Sequence, residues 1–132
     1  MISFYELIQK IKQRPSLYLN KRSLSQLQSF IEGYTFALRQ VNIPVSKEER
    51  EFEGFQEWIE QKYNQQSTQH WTKIILFYSE DEANALNIFF ELFEEFISQK
   101  QADFVVQEDL TLLRSCTYTE IATNKTSNNQ FA

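Results

Sequence analysis

The residues able to do chemistry are few and scattered. His70 is the only histidine, so a zinc site built on two histidines is excluded, and a mixed site would need acids gathered from distant parts of the chain. Cys116 is the only cysteine. It rules out an internal disulfide and a cysteine-rich metal site, and no base stands near it in sequence to make it a nucleophile. Gln69-His70-Trp71 precedes an apolar segment, which suits a histidine that caps or borders a helix better than one that transfers protons. The glutamate pairs are spaced as on a solvated helix face, an arrangement common without any acid–base role. The two glycines, Gly33 and Gly54, stand too far apart to make a phosphate-cradling loop. The expectation is a chain with no catalytic residue, no metal site and no cofactor.

One stretch does suggest a ligand. Lys12 to Ser23 reads KQRPSLYLNKRS and holds four cations, Lys12, Arg14, Lys21 and Arg22. Over seven residues it resembles a segment of the ATPase domain of type II topoisomerases. The magnesium-binding asparagine helix and the Asp-x-Gly-x-Gly nucleotide loop of those enzymes are absent. The same residues make a helix-to-helix turn. Pro15 disfavours helical geometry at Arg14 and ends the first helix. Leu17, Tyr18 and Leu19 can pin the connection to the core, and Ser23 or Asn20 can cap the next helix. Lys12 and Arg14 then lie at the negative end of the first helix's dipole, where a cation stabilises by ~0.3–1 kcal/mol.

The elements that must position these residues are helical. Only two Gly and two Pro punctuate 132 residues, so long helices with few breaks are expected. Ser3 with Glu6 forms a capping box for a helix to Gln13, whose apolar stripe is Phe4, Leu7, Ile8 and Ile11. Leu24 to about Val41 is so rich in apolar residues that it should be the central, most buried helix, with Gly33 letting a neighbour approach closely. Residues 46 to 54, SKEEREFEG, read as a charged linker of helix-forming composition. Phe55, Trp58, Ile59 and Tyr63 mark a short amphipathic helix. Trp71 to Tyr78 would suit a buried strand by composition, but a strand without a mate is unfavourable, and a short buried helix is expected. Ser79 as cap, with Glu82 three residues on, starts a helix that runs to about Gln101. Phe104 to Leu113 could be a short strand or a helical turn.

Together these give an all-α, compact single-domain bundle of four to five helices over residues 1–118, with room for a minor strand pair near the C-terminus. A loose polar tail is expected over 119–132. A hydrophobic share of 42% and an aromatic share of 15% suit a folded, aromatic-packed core. No apolar run approaches the ~20 residues of a membrane span, and nothing at the N-terminus marks secretion. With one cysteine, a reducing cytoplasmic location is the simplest expectation. The net charge of -5 is uneven: residues 1–46 carry six Lys/Arg against two Glu, whereas residues 47–132 carry seven against sixteen Asp/Glu. An acidic chain is a poor nucleic-acid binder and a better partner for a basic protein.

A longer pattern carries a resemblance. The Arg14-Pro15-x-x-Tyr18-Leu19 turn is followed by the Ser23-Leu24 to Ala37-Leu38 helix with Gly33-Tyr34, and then by Phe55-Gln56-Glu57-Trp58-Ile59. Trp71-x-x-Ile74-Ile75-Leu76-Phe77 and the Asp81-Glu82 helix bearing Phe89-Phe90-Glu91-Leu92 complete the order. It resembles small bacterial immunity proteins that partner polymorphic or contact-dependent growth-inhibition toxins, over roughly residues 4 to 97. Ser16 and Asn20 depart from the glycines such sequences tend to have in the turn. The resemblance implies an immunity protein that neutralises a cognate toxin domain, a basic nuclease-type effector, by non-covalent occlusion. The candidate toxin-facing acids are then Glu48, Glu49, Glu51, Glu53, Glu57, Glu60, Glu80, Asp81, Glu91, Glu94 and Glu95. A helical adaptor or regulatory protein unrelated to toxins is the alternative. Behind it stand a small enzyme using His70 and nearby carboxylates and, last, RNA binding through the basic N-terminal third.

Overall fold

A computed structural model describes the backbone of residues 1–131 and the side chains of residues 1–108 and 110. The described residues contain helices and no strand, in the order α1 (Phe4–Gln13), α2 (Pro15–Tyr18), α3 (Leu24–Gln40), α4 (Lys47–Glu53), α5 (Phe55–Lys62), α6 (Trp71–Phe77) and α7 (Glu82–Phe131). The chain divides into two compact units, Met1–Phe96 and Ile97–Ala132. Residues 82–96 of α7 belong to the first unit.

Local chemistry explains most helix starts. Ser3 caps α1 in a full capping box with Glu6. Pro15 lies at the first position of α2, where its missing N–H costs nothing. Ser23 Oγ accepts the Gln26 N–H at the start of α3. Residues 47–53, expected as linker, form α4 because Ser46 and Glu49 make a second capping box of the same kind. Residues 71–77 are the expected short helix, and all of Trp71, Thr72, Ile74 and Ile75 are buried in it. The cap of α7 is Asp81 rather than Ser79: Asp81 Oδ1 accepts the Asn84 N–H at 2.7 Å, while the Ser79 hydroxyl donates back to the Ile75 carbonyl.

The core of the first unit is aromatic, and its centre is the beginning of α7, not α3. Ala85, Leu86, Phe89, Phe90, Leu92, Phe93 and Phe96 are all buried. Phe55 meets Phe89 edge-on at 5.7 Å and Phe96 at 5.3 Å, while Tyr5 and Phe52 meet Phe93 at 5.5 and 5.9 Å. Trp71 stacks on Phe89 at 5.1 Å. By contrast α3 buries only Leu24, Leu27 and Ile31. Phe36 and Val41 near its end are each 65% exposed. Gly33 has no atom within 4 Å of where a Cβ would sit, so no neighbour takes advantage of its missing side chain. In the turn before α3, Pro15 and Leu19 are buried, but Leu17 points to solvent.

In the second unit, residues 104–113 are helical, which leaves no strand pair among the described residues. Phe104, Val105, Val106 and Leu110 are exposed there. The loose tail expected over 119–132 lies outside the residues whose side chains are described. No helix among the described residues is long and apolar enough to cross a membrane.

Candidate functional site

α3, α4 and the start of α6 enclose an open hollow of about 750 Å³ in the first unit. Phe4, Phe52 and Trp71 form its floor, Ile31, Phe36 and Val45 its apolar wall, and Glu32, Arg39, Glu49, Glu53 and His70 its charged and polar rim. The floor is stiff because each ring is packed from behind. Phe52 stacks on Phe55 at 5.1 Å and meets Phe4 and Trp71 at 5.2 and 5.8 Å. Offset and edge contacts of this kind add about 0.5–1.5 kcal/mol per pair beyond the area they bury.

The rim is held from several elements. From α3, Arg39 donates through Nη2 to Glu49 on α4, and through Nε to the Thr35 carbonyl at 3.3 Å. Its Nη1 is buried without an acceptor among the described residues. Glu49 also accepts the Ser46 N–H at 2.8 Å, so one carboxylate both starts α4 and fastens it to α3. Tyr5 ties α4 to α1 in the same way, donating its N–H to Glu48 and its hydroxyl to Glu51 at 2.9 and 3.1 Å. Burial, reinforced by the hydrogen bond to Glu51 and its charge, pushes the Tyr5 hydroxyl far above its ordinary pKa.

His70 is the N-cap of α6: its Nδ1 accepts the Thr72 N–H at 3.3 Å and lies 2.8 Å from the Thr72 hydroxyl. That hydroxyl donates to Gln28 Oε1 on α3 at 2.7 Å. Burial lowers the His70 pKa below 6.5, partly opposed by the charge of Glu32. The ring is therefore neutral at neutral pH, as a capping acceptor must be. Gln56 on α5 completes the start of α6, accepting the Trp71 N–H at 2.7 Å and donating to the Gln69 carbonyl at 2.8 Å.

The eleven acids singled out in sequence fall into three groups. Glu48, Glu49, Glu51 and Asp81 are spent on capping or on fastening helices. Glu94 and Glu95 form ion pairs with Lys12 and Lys62, the latter at 2.5 Å, and Glu57 and Glu60 accept from Gln61 and Gln56 at 3.4 and 2.9 Å. Glu53, Glu80 and Glu91 are exposed, and their carboxylates make no hydrogen bond or ion pair to a described residue. Only Glu49 and Glu53 of the eleven reach the hollow. Its other charged members, Glu32 and Arg39, lie seven residues apart on one face of α3. That helical spacing is the signal that could have found them. No group of three or more His, Cys, Asp or Glu able to hold a metal ion occurs among the described residues. Cys116 lies outside the described side chains.

Comparison with protein-family models, with curated proteins and with solved structures returns no match.

Proposed function

We propose that the chain is an immunity protein that binds a cognate bacterial toxin domain with a basic surface, and neutralises it by non-covalent occlusion in the cytoplasm. The observation that carries this reading is the charge imbalance of residues 47–96, with four Lys/Arg against twelve Asp/Glu. Part of that acidity is open to a partner, because Glu53, Glu80 and Glu91 are exposed and pair with no cation among the described residues. An acidic surface steers a basic partner into encounter and disfavours acidic competitors. The order of motifs along residues 4–97 supports the same reading. The test is co-expression with the product of the reading frame immediately upstream of this gene. A stable complex and loss of toxin activity are expected; separate elution of the two proteins at low salt counts against the proposal.

A second reading, a helical adaptor unrelated to toxins, is favoured by the apolar residues exposed on α3 and in the second unit, among them Phe36, Val41 and Val106. Exposed apolar residues that join into a contiguous patch mark a protein-contact site. The two readings separate on the charge of the captured partner: a basic toxin supports the first, and an acidic or neutral regulatory protein the second.

A further inference from the structure

We infer that the hollow between α3, α4 and the start of α6 is an anchor pocket for one arginine side chain projected by a basic protein partner. The inference rests on the proposed function for the partner's class and on the hollow itself for the rest. Its volume of about 750 Å³ lies within the range typical of ligand sites and exceeds one side chain. It therefore has room for the arginine and the flanking part of the segment that carries it.

Charge selects the occupant. Three glutamates and one arginine line the hollow, and His70 adds no charge while neutral. Arg39 and Glu49 cancel each other's charge, although Arg39 Nη1 keeps no acceptor, which leaves Glu32 and Glu53 without a cation among the described residues. Among the described residues Glu32 accepts from the neutral amide of Gln28 at 3.1 Å and from no cation, and Glu53 has no internal partner. An anion entering here meets two free carboxylates, whereas a cation is attracted by both.

The walls favour guanidinium over ammonium. A guanidinium is weakly hydrated, packs its plane and its methylene stem against aromatic and aliphatic surface, and presents several donors to carboxylates. Phe52 and Trp71 give it a rigid aromatic floor, and Phe36 and Val45 an apolar shoulder at the entrance. A partner segment that covers the exposed Phe36 and Val45 would shut water out of the ion pairs. A charged anchor ringed by apolar contacts is the usual arrangement of an interface hot spot.

The experiment uses the full chain, labelled with nitrogen-15, and a blocked Leu-Arg-Leu peptide as probe. Saturable shifts are expected at the backbone amides of Glu53 and His70 and at the Trp71 indole. The matching citrulline peptide, of the same shape without the charge, should bind about tenfold more weakly or worse. Glu32→Gln with Glu53→Gln should reduce arginine-peptide binding to a similar degree. Equal binding of the citrulline peptide, or shifts confined to other surfaces, would overturn the assignment. Capture of the neighbouring toxin separates the two proposals. If the double variant captures it as well as the wild type, the anchor pocket is wrong and the immunity reading stands. If the wild type captures no toxin but the arginine peptide still seats, the immunity reading is wrong and the pocket stands.

Discussion

α3 and the first fifteen residues of α7 are built from much the same material and meet opposite fates. Both carry apolar residues around more than one face. In α7 the surplus is used: rings from α1, α4, α5 and α6 close on Phe89, Phe93 and Phe96 from several sides. In α3 only Leu24, Leu27 and Ile31 find a core, and beyond Ile31 the helix meets α4 through the Arg39–Glu49 pair but buries no apolar residue, with Phe36 exposed. Apolar count alone does not decide which helix is central. The number of elements that can be packed around a helix decides it, and that number belongs to the tertiary arrangement. Apolar surface left over on α3 borders the acidic hollow, where a partner can use it.

The largest effect that could break this contrast is Phe89→Ala. It removes a fully buried ring and should cost about 3–5 kcal/mol in urea denaturation; a loss near zero would mean that α7 is not the centre. Next comes Glu49→Ala, which removes a capping-box member and leaves the Arg39 guanidinium without its carboxylate. It should cost about 2 kcal/mol by the same measurement.

Glu82→Ala tests whether α7 holds the start of α3. Glu82 accepts from the Ser23 hydroxyl and from both the N–H and the hydroxyl of Ser25, so its loss should cost about 1 kcal/mol. Burial pushes its carboxyl up, but hydrogen bonds from Ser25, Ser23 and the Leu24 backbone outweigh this and hold the pKa below 4.5. A depressed carboxyl contributes stability above its unfolded pKa and loses it as pH falls through the folded value. The stability gap between wild type and Glu82→Ala should therefore narrow as pH drops below about 4.5.

On the exposed half of α3 the expected changes are small, and one is favourable. Gly33→Ala has open space for its methyl and should raise stability by roughly 0.5–1 kcal/mol, read as a higher melting temperature. Phe36→Ser should change stability by no more than about 0.5 kcal/mol. If Phe36→Ser instead unfolds the chain, the outer half of α3 is covered after all and the contrast fails.

Where a helix start depends on residues three or four apart, the sequence was readable. Ser3 with Glu6, Ser23, Pro15 and His70 all mark starts or stops found in the structure. α4 carried the same Ser-x-x-Glu sign in Ser46 and Glu49, masked by a run of charges that resembles a linker. Asp81, not Ser79, took the cap of α7 because two neighbouring residues could each play that part and only the packing of α6 chooses between them. The hollow was scarcely legible. Glu49 and Glu53 were singled out among the acids, but Glu32, Arg39 and Phe36 acquire meaning only when α4 folds back beside α3. Nothing local distinguishes them from the solvated face of a long helix.

The paired hydrogen bonds of Gln56 to Trp71 and Gln69 have a further consequence for how this chain tolerates change. They tie the start of α6 to the first turn of α5, so the residues between the two helices need not by themselves set the helix spacing. Asn64 already sits there at a φ of 52°, a left-handed turn that asparagine accepts readily. Lengthening a loop whose ends are fixed costs only about 0.6 kcal/mol per doubling. Extra residues placed between Gln66 and Thr68, an epitope or a dye-labelling sequence for example, should leave α5 and α6 in place and give a handle for following the protein without disturbing the hollow.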